Sequence, residues 1–160
     1  MKIVLENLSK RFNRQWIFKN VNLELSSGNS YAVIGPNGSG KSTFVKVLMG
    51  VIPPTEGSLL YQLEGKTIDD EEIYKYCSLA SPYLELIEEF TLLELLNFHF
   101  KFKNIKSGFN VNDNLEIAYL EPHKNRPIRN FSSGMKQRLK LALAFYSDTP
   151  VLILDEPTSN

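Results

Sequence analysis

Apolar and polar positions alternate in the first thirty residues. Ile3, Leu5 and Leu8 predict an edge strand over residues 2–8, followed by a polar turn at Lys10-Arg11-Phe12-Asn13-Arg14. Trp16, Ile17 and Phe18 restart the pattern, and Val21, Leu23 and Leu25 alternate with Asn22 and Glu24 as a strand with one buried face. Ser26-Ser27-Gly28-Asn29 is a hairpin-type turn, so these early strands are expected to be antiparallel. Ser30 to Ile34 ends apolar and predicts a buried strand, and Thr43 to Met49 has helical spacing that stops at Gly50. Pro53 and Pro54 exclude a helix over residues 51–57. Ser58 to Leu63 predicts a strand, Glu64-Gly65-Lys66 a turn, Asp69 to Tyr76 a short helix with an acidic first turn, and Cys77 to Ala80 a core strand.

The pattern changes over residues 84–130. Thr91 to Phe100 is amphipathic at helical spacing, and Thr91 with Glu94 makes a capping box. Ser107 to Asn110 breaks that helix, Asn112 to Leu120 predicts a second, and Pro122 to Pro127 a loop. The stretch reads as a helical subdomain inserted into an α/β core. Ser132 to Tyr146 predicts a third helix, apolar around much of its girth and largely buried. Val151 to Leu154 predicts a fully buried strand. Strands alternating with helices argue for a mostly parallel sheet.

The 160 residues are a one-domain length. Lysine and arginine (18) balance aspartate and glutamate (18), so no basic excess points to nucleic acid. The single cysteine, Cys77, excludes an internal disulfide framework and fits a reducing compartment. No run reaches 18 apolar residues, and Met1 to Glu6 is too short in apolar residues for a signal peptide.

The chemistry centres on Gly35-Pro36-Asn37-Gly38-Ser39-Gly40-Lys41-Ser42-Thr43, which fits the phosphate-binding P-loop pattern between the expected strand and helix. Gly35, Gly38 and Gly40 let the backbone wrap a polyphosphate. Backbone N–H groups and the helix N-terminus add an anion nest. Lys41 supplies a point charge for the β- and γ-phosphates, and Ser42 a hydroxyl for Mg2+. Val151 to Glu156 is a Walker B pattern, a core strand with acids at its carboxyl end. Asp155 would hold Mg2+ and Glu156 would act as general base on the attacking water. Taken alone, the same residues also describe a buried strand ending in two solvated acids. Phe131-Ser132-Ser133-Gly134-Met135-Lys136-Gln137-Arg138 opens a helix with hydroxyls and a glycine. By itself this stretch suits an ordinary serine N-cap better than an anion site.

Together, Ile34 to Thr43, Phe131 to Arg138 and Leu152 to Ser159 make the whole chain resemble the ATP-binding subunit of ABC transporters. The resemblance implies a P-loop NTPase α/β core with a mostly parallel sheet, an antiparallel N-terminal β layer and an inserted helical subdomain. It implies that Mg-ATP is bound and hydrolysed to power a transmembrane permease subunit, from the cytoplasmic face of the membrane. A second ATP-binding subunit, identical or related, would pair head-to-tail, with Ser132, Ser133, Gly134 and Met135 contacting the γ-phosphate held by the partner. Phe131, Ser133 and Met135 depart from the usual LSGGQ signature. Phe12 matches the aromatic that stacks on adenine, although a core aromatic would look the same. The Q-loop glutamine position falls on Ser81, which is shorter and puts coupling to the helical stretch in question. The D-loop would begin at Thr158-Ser159-Asn160, and a complete subunit would continue with more strands, helices and a switch histidine; His99 and His123 cannot take that role. Two other readings stand beside this one. The first is an ABC-type ATPase acting on ribosomes or DNA, disfavoured by zero net charge and the lack of sustained heptads. The second is a nucleotide switch without turnover, suggested by Ser81.

Overall fold

The computed structural model describes residues 1–157 and divides into two compact units, Met1–Tyr74 and Lys75–Asn160. Thr158, Ser159 and Asn160, where the D-loop was expected, lie outside the described residues.

The first unit is built on a four-stranded antiparallel sheet. β1 (Lys2–Phe12) and β2 (Gln15–Ser26) form a hairpin closed at Asn13 and Arg14. β3 (Glu56–Leu63) and β4 (Lys66–Ile68) form a second, closed at Glu64 and Gly65. Both residues of that second turn have positive φ, the geometry whose twist matches a two-residue hairpin. The order is β2-β1-β3-β4, so β1 is an interior strand and not the edge strand its alternation suggested. Alternation records burial of one face, which an interior strand of a half-covered antiparallel sheet shares with an edge strand. β1 also runs through Lys10 and Arg11 to Phe12, because Asn13, at φ 51°, takes the tight turn alone with Arg14.

α1 (Lys41–Leu48) covers one face of this sheet. Phe18 of β2 meets Phe44 edge-on, with ring centroids 5.4 Å apart. The Tyr61 hydroxyl of β3 donates to the Leu48 carbonyl at 3.0 Å, and Val45, Val47 and Leu48 are buried. The strand expected at residues 30–34 does not form: residues 29–36 have no regular secondary structure, and Ile34 is 91% exposed. An apolar run becomes a strand only where neighbouring strands take up its N–H and C=O groups. No ladder among the described residues includes this one.

In the second unit β5 (Cys77–Ala80) pairs in parallel with β6 (Val151–Leu154). α4 (Ser133–Tyr146) packs against both strands. Its apolar side also closes a core with α2 (Leu92–His99), α3 (Val111–Ile117) and the bend around Ile128. The capping box at the start of α2 is present in full: Glu94 N–H donates to Thr91 Oγ1, and Thr91 N–H donates to the Glu94 carboxylate. The short helix expected from Asp69 to Tyr76 is a 3-10 turn over Asp70–Lys75. β6 is not fully buried. Leu152 and Leu154 are about two-fifths exposed, because α4 covers one face of the strand and the other face is open.

His99 closes the C-terminal end of α2 onto the residue that follows α4. Its Nε2 lies 2.9 Å from Ser147 Oγ, and that hydroxyl donates to the Leu143 carbonyl at 2.7 Å. The hydroxyl proton is thereby used, so Nε2 carries the proton and donates to Ser147. Burial, with Lys103 beside it, pushes the imidazole pKa down to about 4. The folded value lies below the ordinary 6.5, so the unfolded chain binds more protons as pH falls from about 6.5 towards 4. Stability is therefore expected to decline through that window, by about 2 kcal/mol from this group once its partial exposure is allowed for. His99→Gln keeps an N–H donor and does not titrate. Denaturant unfolding at pH 7 and pH 4.5 is expected to show a smaller loss in that variant than in the parent.

Candidate nucleotide-binding and catalytic residues

The P-loop residues lie together in the first unit. Pro36 to Ser39 stand out in solvent, with a turn closed by the Ser39 N–H on the Pro36 carbonyl at 3.2 Å. Gly38 and Gly40 have φ of 80° and 95°, the left-handed region that glycine enters without strain. Gly40 is the N-cap of α1 and makes no side-chain cap bond, so the cap residue takes up none of the backbone donors at the helix start. No acidic residue lies in the first turn to compete for them. Gly35 is constrained differently: a Cβ there would come within 2.7 Å of Ser39 Oγ. Asn37 sits at the exposed loop tip, and Lys41, Ser42 and Thr43 are half-buried in the first turn of α1. Lys41 Nζ donates to the carbonyls of Gly35 at 2.9 Å and Pro36 at 3.0 Å, so its charge is held over the loop's own backbone.

Ile17, which carried no role in the sequence reading, lies directly behind the loop. A Cβ on Gly40 would come within 2.3 Å of Ile17 Cγ2. The spacing from Ile17 to the P-loop spans a turn and an irregular segment, so no local pattern signals this contact.

Phe12 is at the tip of the β1–β2 hairpin, paired with Gln15 and 48% exposed. That excludes a core role for the ring. It stands on a strand end, not on a loop, with Lys10 Nζ 5.1 Å from its centroid.

The remaining residues belong to the second unit. Ser132 is the N-cap of α4, and its Oγ accepts the Met135 N–H at 3.2 Å. Met135 is buried in the core with Leu139 and Phe131. Ser132, Ser133 and Gly134 are therefore the part of this stretch open to a ligand, and Met135 anchors it. Asp155 follows β6 and is 7% exposed. Its N–H donates to the Ala80 carbonyl at 2.9 Å, and its Oδ2 accepts from Ser81 Oγ at 3.2 Å. Glu156 is exposed, on a left-handed backbone at φ 46° that turns the chain out of the strand. Gln137 Nε2 of α4 donates to the Pro157 carbonyl at 3.0 Å, and Lys140 Nζ to the Pro82 carbonyl at 2.6 Å. Burial, with Lys136 nearby, holds the Lys140 ammonium below the ordinary lysine range. The bends after both strands are thus pinned to one helix.

Ser42 in the first unit and Asp155 in the second each carry a hard oxygen donor of the kind Mg2+ takes.

The ABC transporter family profile matches residues 18–159, which includes every candidate residue except Phe12. A lantibiotic transport ATP-binding protein, SrtF of Streptococcus pyogenes, is 34% identical over 160 residues, covering 97% of this chain and 66% of that protein. The chain thus spans just under two-thirds of that relative's length. An uncharacterized ABC transporter ATP-binding protein, YybJ of Bacillus subtilis, is 33% identical and is covered to 70%. Among solved structures, an ATP-binding subunit of an ABC transporter superposes with TM-score 0.81 at 27% identity, over 99% of this chain and 67% of that one. The ATP-binding cassette MJ0796, a dimer bound to ADP and Pi, gives TM-score 0.78 at 26% identity, over 98% and 74%.

Gly40→Ala is expected to destabilise the protein by about 2 kcal/mol or more, combining left-handed strain of about 1–2 kcal/mol with the clash on Ile17. Adding Ile17→Ala is expected to recover the steric part and leave the backbone part, so the two changes should be non-additive in denaturant unfolding.

Proposed function

The chain belongs to the ABC transporter family, and from that premise we propose that it is the ATP-binding portion of a transporter's motor subunit, binding and hydrolysing Mg-ATP. The observation that carries this reading is the P-loop itself: two left-handed glycines open an uncapped α1, with Lys41 folded over the same loop. A triphosphate takes backbone donors at the start of α1, and Lys41 exchanges its two carbonyl partners for phosphate oxygens. Ser42 in the first unit would offer a hydroxyl to Mg2+ and Asp155 in the second a carboxylate, and the ion would offset the negative charge gathered on the phosphates. Glu156, exposed on its turn after β6, takes the proton from the attacking water. Phe12 offers an exposed ring face for adenine.

In the same reading Ser132, Ser133 and Gly134 present the start of α4 to the γ-phosphate held by a second ATP-binding subunit, identical or related, with Met135 as their anchor. The dimer recorded for MJ0796 supports such pairing. The helical stretch 84–130 receives a transmembrane permease, and the subunit works on the cytoplasmic face of the membrane. No described helix is long and apolar enough to cross a membrane.

The test is thermal unfolding of the chain with and without Mg-ATP, beside Lys41→Ala. At about a hundred times the dissociation constant, ATP is expected to add roughly 2.7 kcal/mol of stability, a rise of several degrees in Tm. Lys41→Ala should unfold cooperatively and lose most of the rise. A cooperative parental transition that ATP does not move would overturn the nucleotide-binding assignment.

A further inference from the structure

The parallel ladder runs from Cys77↔Val151 to Ala80↔Leu154. The next residue along each strand is Ser81 on one side and Asp155 on the other. The Asp155 N–H donates to the Ala80 carbonyl at 2.9 Å, which carries the ladder one step beyond the strands. The two side chains therefore emerge side by side, and Ser81 Oγ meets Asp155 Oδ2 at 3.2 Å. Both residues are buried, at 4% and 7% exposure. An ionised carboxylate only accepts, so the hydroxyl donates. The Tyr83 N–H donates to Ser81 Oγ at 3.3 Å, so one lone pair of the hydroxyl is occupied from behind while its proton faces Asp155. Lys140 fixes the Pro82 carbonyl between these two contacts.

We propose that Ser81 is a positioning residue for Asp155, holding the carboxylate in one rotamer so that it meets the divalent cation in a single orientation. The proposal rests on the reading of Asp155 as a Mg2+ carboxylate. Three features carry it. The register sets position 81 directly beside Asp155. The short side chain ends on the carboxylate. The hydroxyl is itself oriented by a backbone donor. Position 81 thus acts on the metal through Asp155 and not by touching nucleotide or metal itself. Partners that orient a metal-binding side chain typically change metal affinity by about 10–100-fold when removed.

The probe is Mn2+, followed by electron paramagnetic resonance, titrated into the chain saturated with the non-hydrolysable ATP analogue AMP-PNP. Affinity for AMP-PNP is also measured in EDTA, where no metal contributes. Ser81→Ala and Ser81→Cys are expected to bind Mn2+ about tenfold more weakly than the parent, the cysteine because it keeps the volume with a poor donor. Ser81→Thr, which keeps the hydroxyl, is expected to stay within about twofold, and all variants should keep parental affinity in EDTA. Parental Mn2+ affinity in both Ala and Cys variants, while Asp155→Asn loses it, would overturn the role of Ser81 alone. Parental affinity in Asp155→Asn would instead overturn the assignment of Asp155. A loss of AMP-PNP binding in EDTA by both Ala and Cys variants, or a threonine variant as weak as alanine, would reduce Ser81 to a structural residue and sink the proposal.

Discussion

Four backbone pairs between β5 and β6 decide what can happen in the second unit. Side chains in a parallel ladder alternate faces in step, so a slip by one residue would turn Asp155 away from position 81 and face it with a different neighbour. The register is held from outside the ladder. α4 covers one face, Gln137 takes the Pro157 carbonyl, and Lys140 takes the Pro82 carbonyl. The Thr149 hydroxyl, just before β6, meets Ser78 at 2.8 Å. The neutral hydrogen bonds among these are worth about 1 kcal/mol net each and the charge-assisted one from Lys140 about 1.5–3, yet all restrain the same degree of freedom, the sliding of one strand along the other.

α4 therefore has two jobs that share one surface. Its apolar side, through Leu139 and Leu143, joins the core with α2 and α3. Its first turn exposes Ser132, Ser133 and Gly134, while Met135 ties that turn down. The same helix thus contacts both bends, the one carrying Asp155 through Gln137 and the one carrying Ser81 through Lys140.

Much of this was legible in the chain. The capping box at Thr91 and Glu94 is a local signal, and local signals survive because a cap needs only its own four residues. The helix after the P-loop was legible for the same reason, and the strands at 77–80 and 151–154 from their apolar runs, although their pairing was not. Predictions that depended on partners fared worse. Ser30 to Ile34 has a strand's composition and no ladder, β1 has an edge strand's alternation and an interior place, and β4 is three residues long, too short to show a period. The site divides in the same way. The glycines and Lys41 announce themselves by type and spacing, whereas Ile17 behind Gly40 and Ser81 on Asp155 are contacts between distant residues. Ser81 stood out in the sequence only as a missing glutamine; its partner could be found only once the register was known.

The Lys41 ammonium rests on two carbonyl oxygens of its own loop. Binding at this loop is consequently an exchange and not a simple gain. Whatever draws the lysine away must return at least what two carbonyl dipoles supplied. Anionic oxygens do so with charge to spare, and a neutral nucleoside has none to offer. If the loop holds a nucleotide as proposed, it would discriminate before any base or sugar is read: the polyphosphate would act as the admission requirement, and adenine would only refine a choice already made by charge.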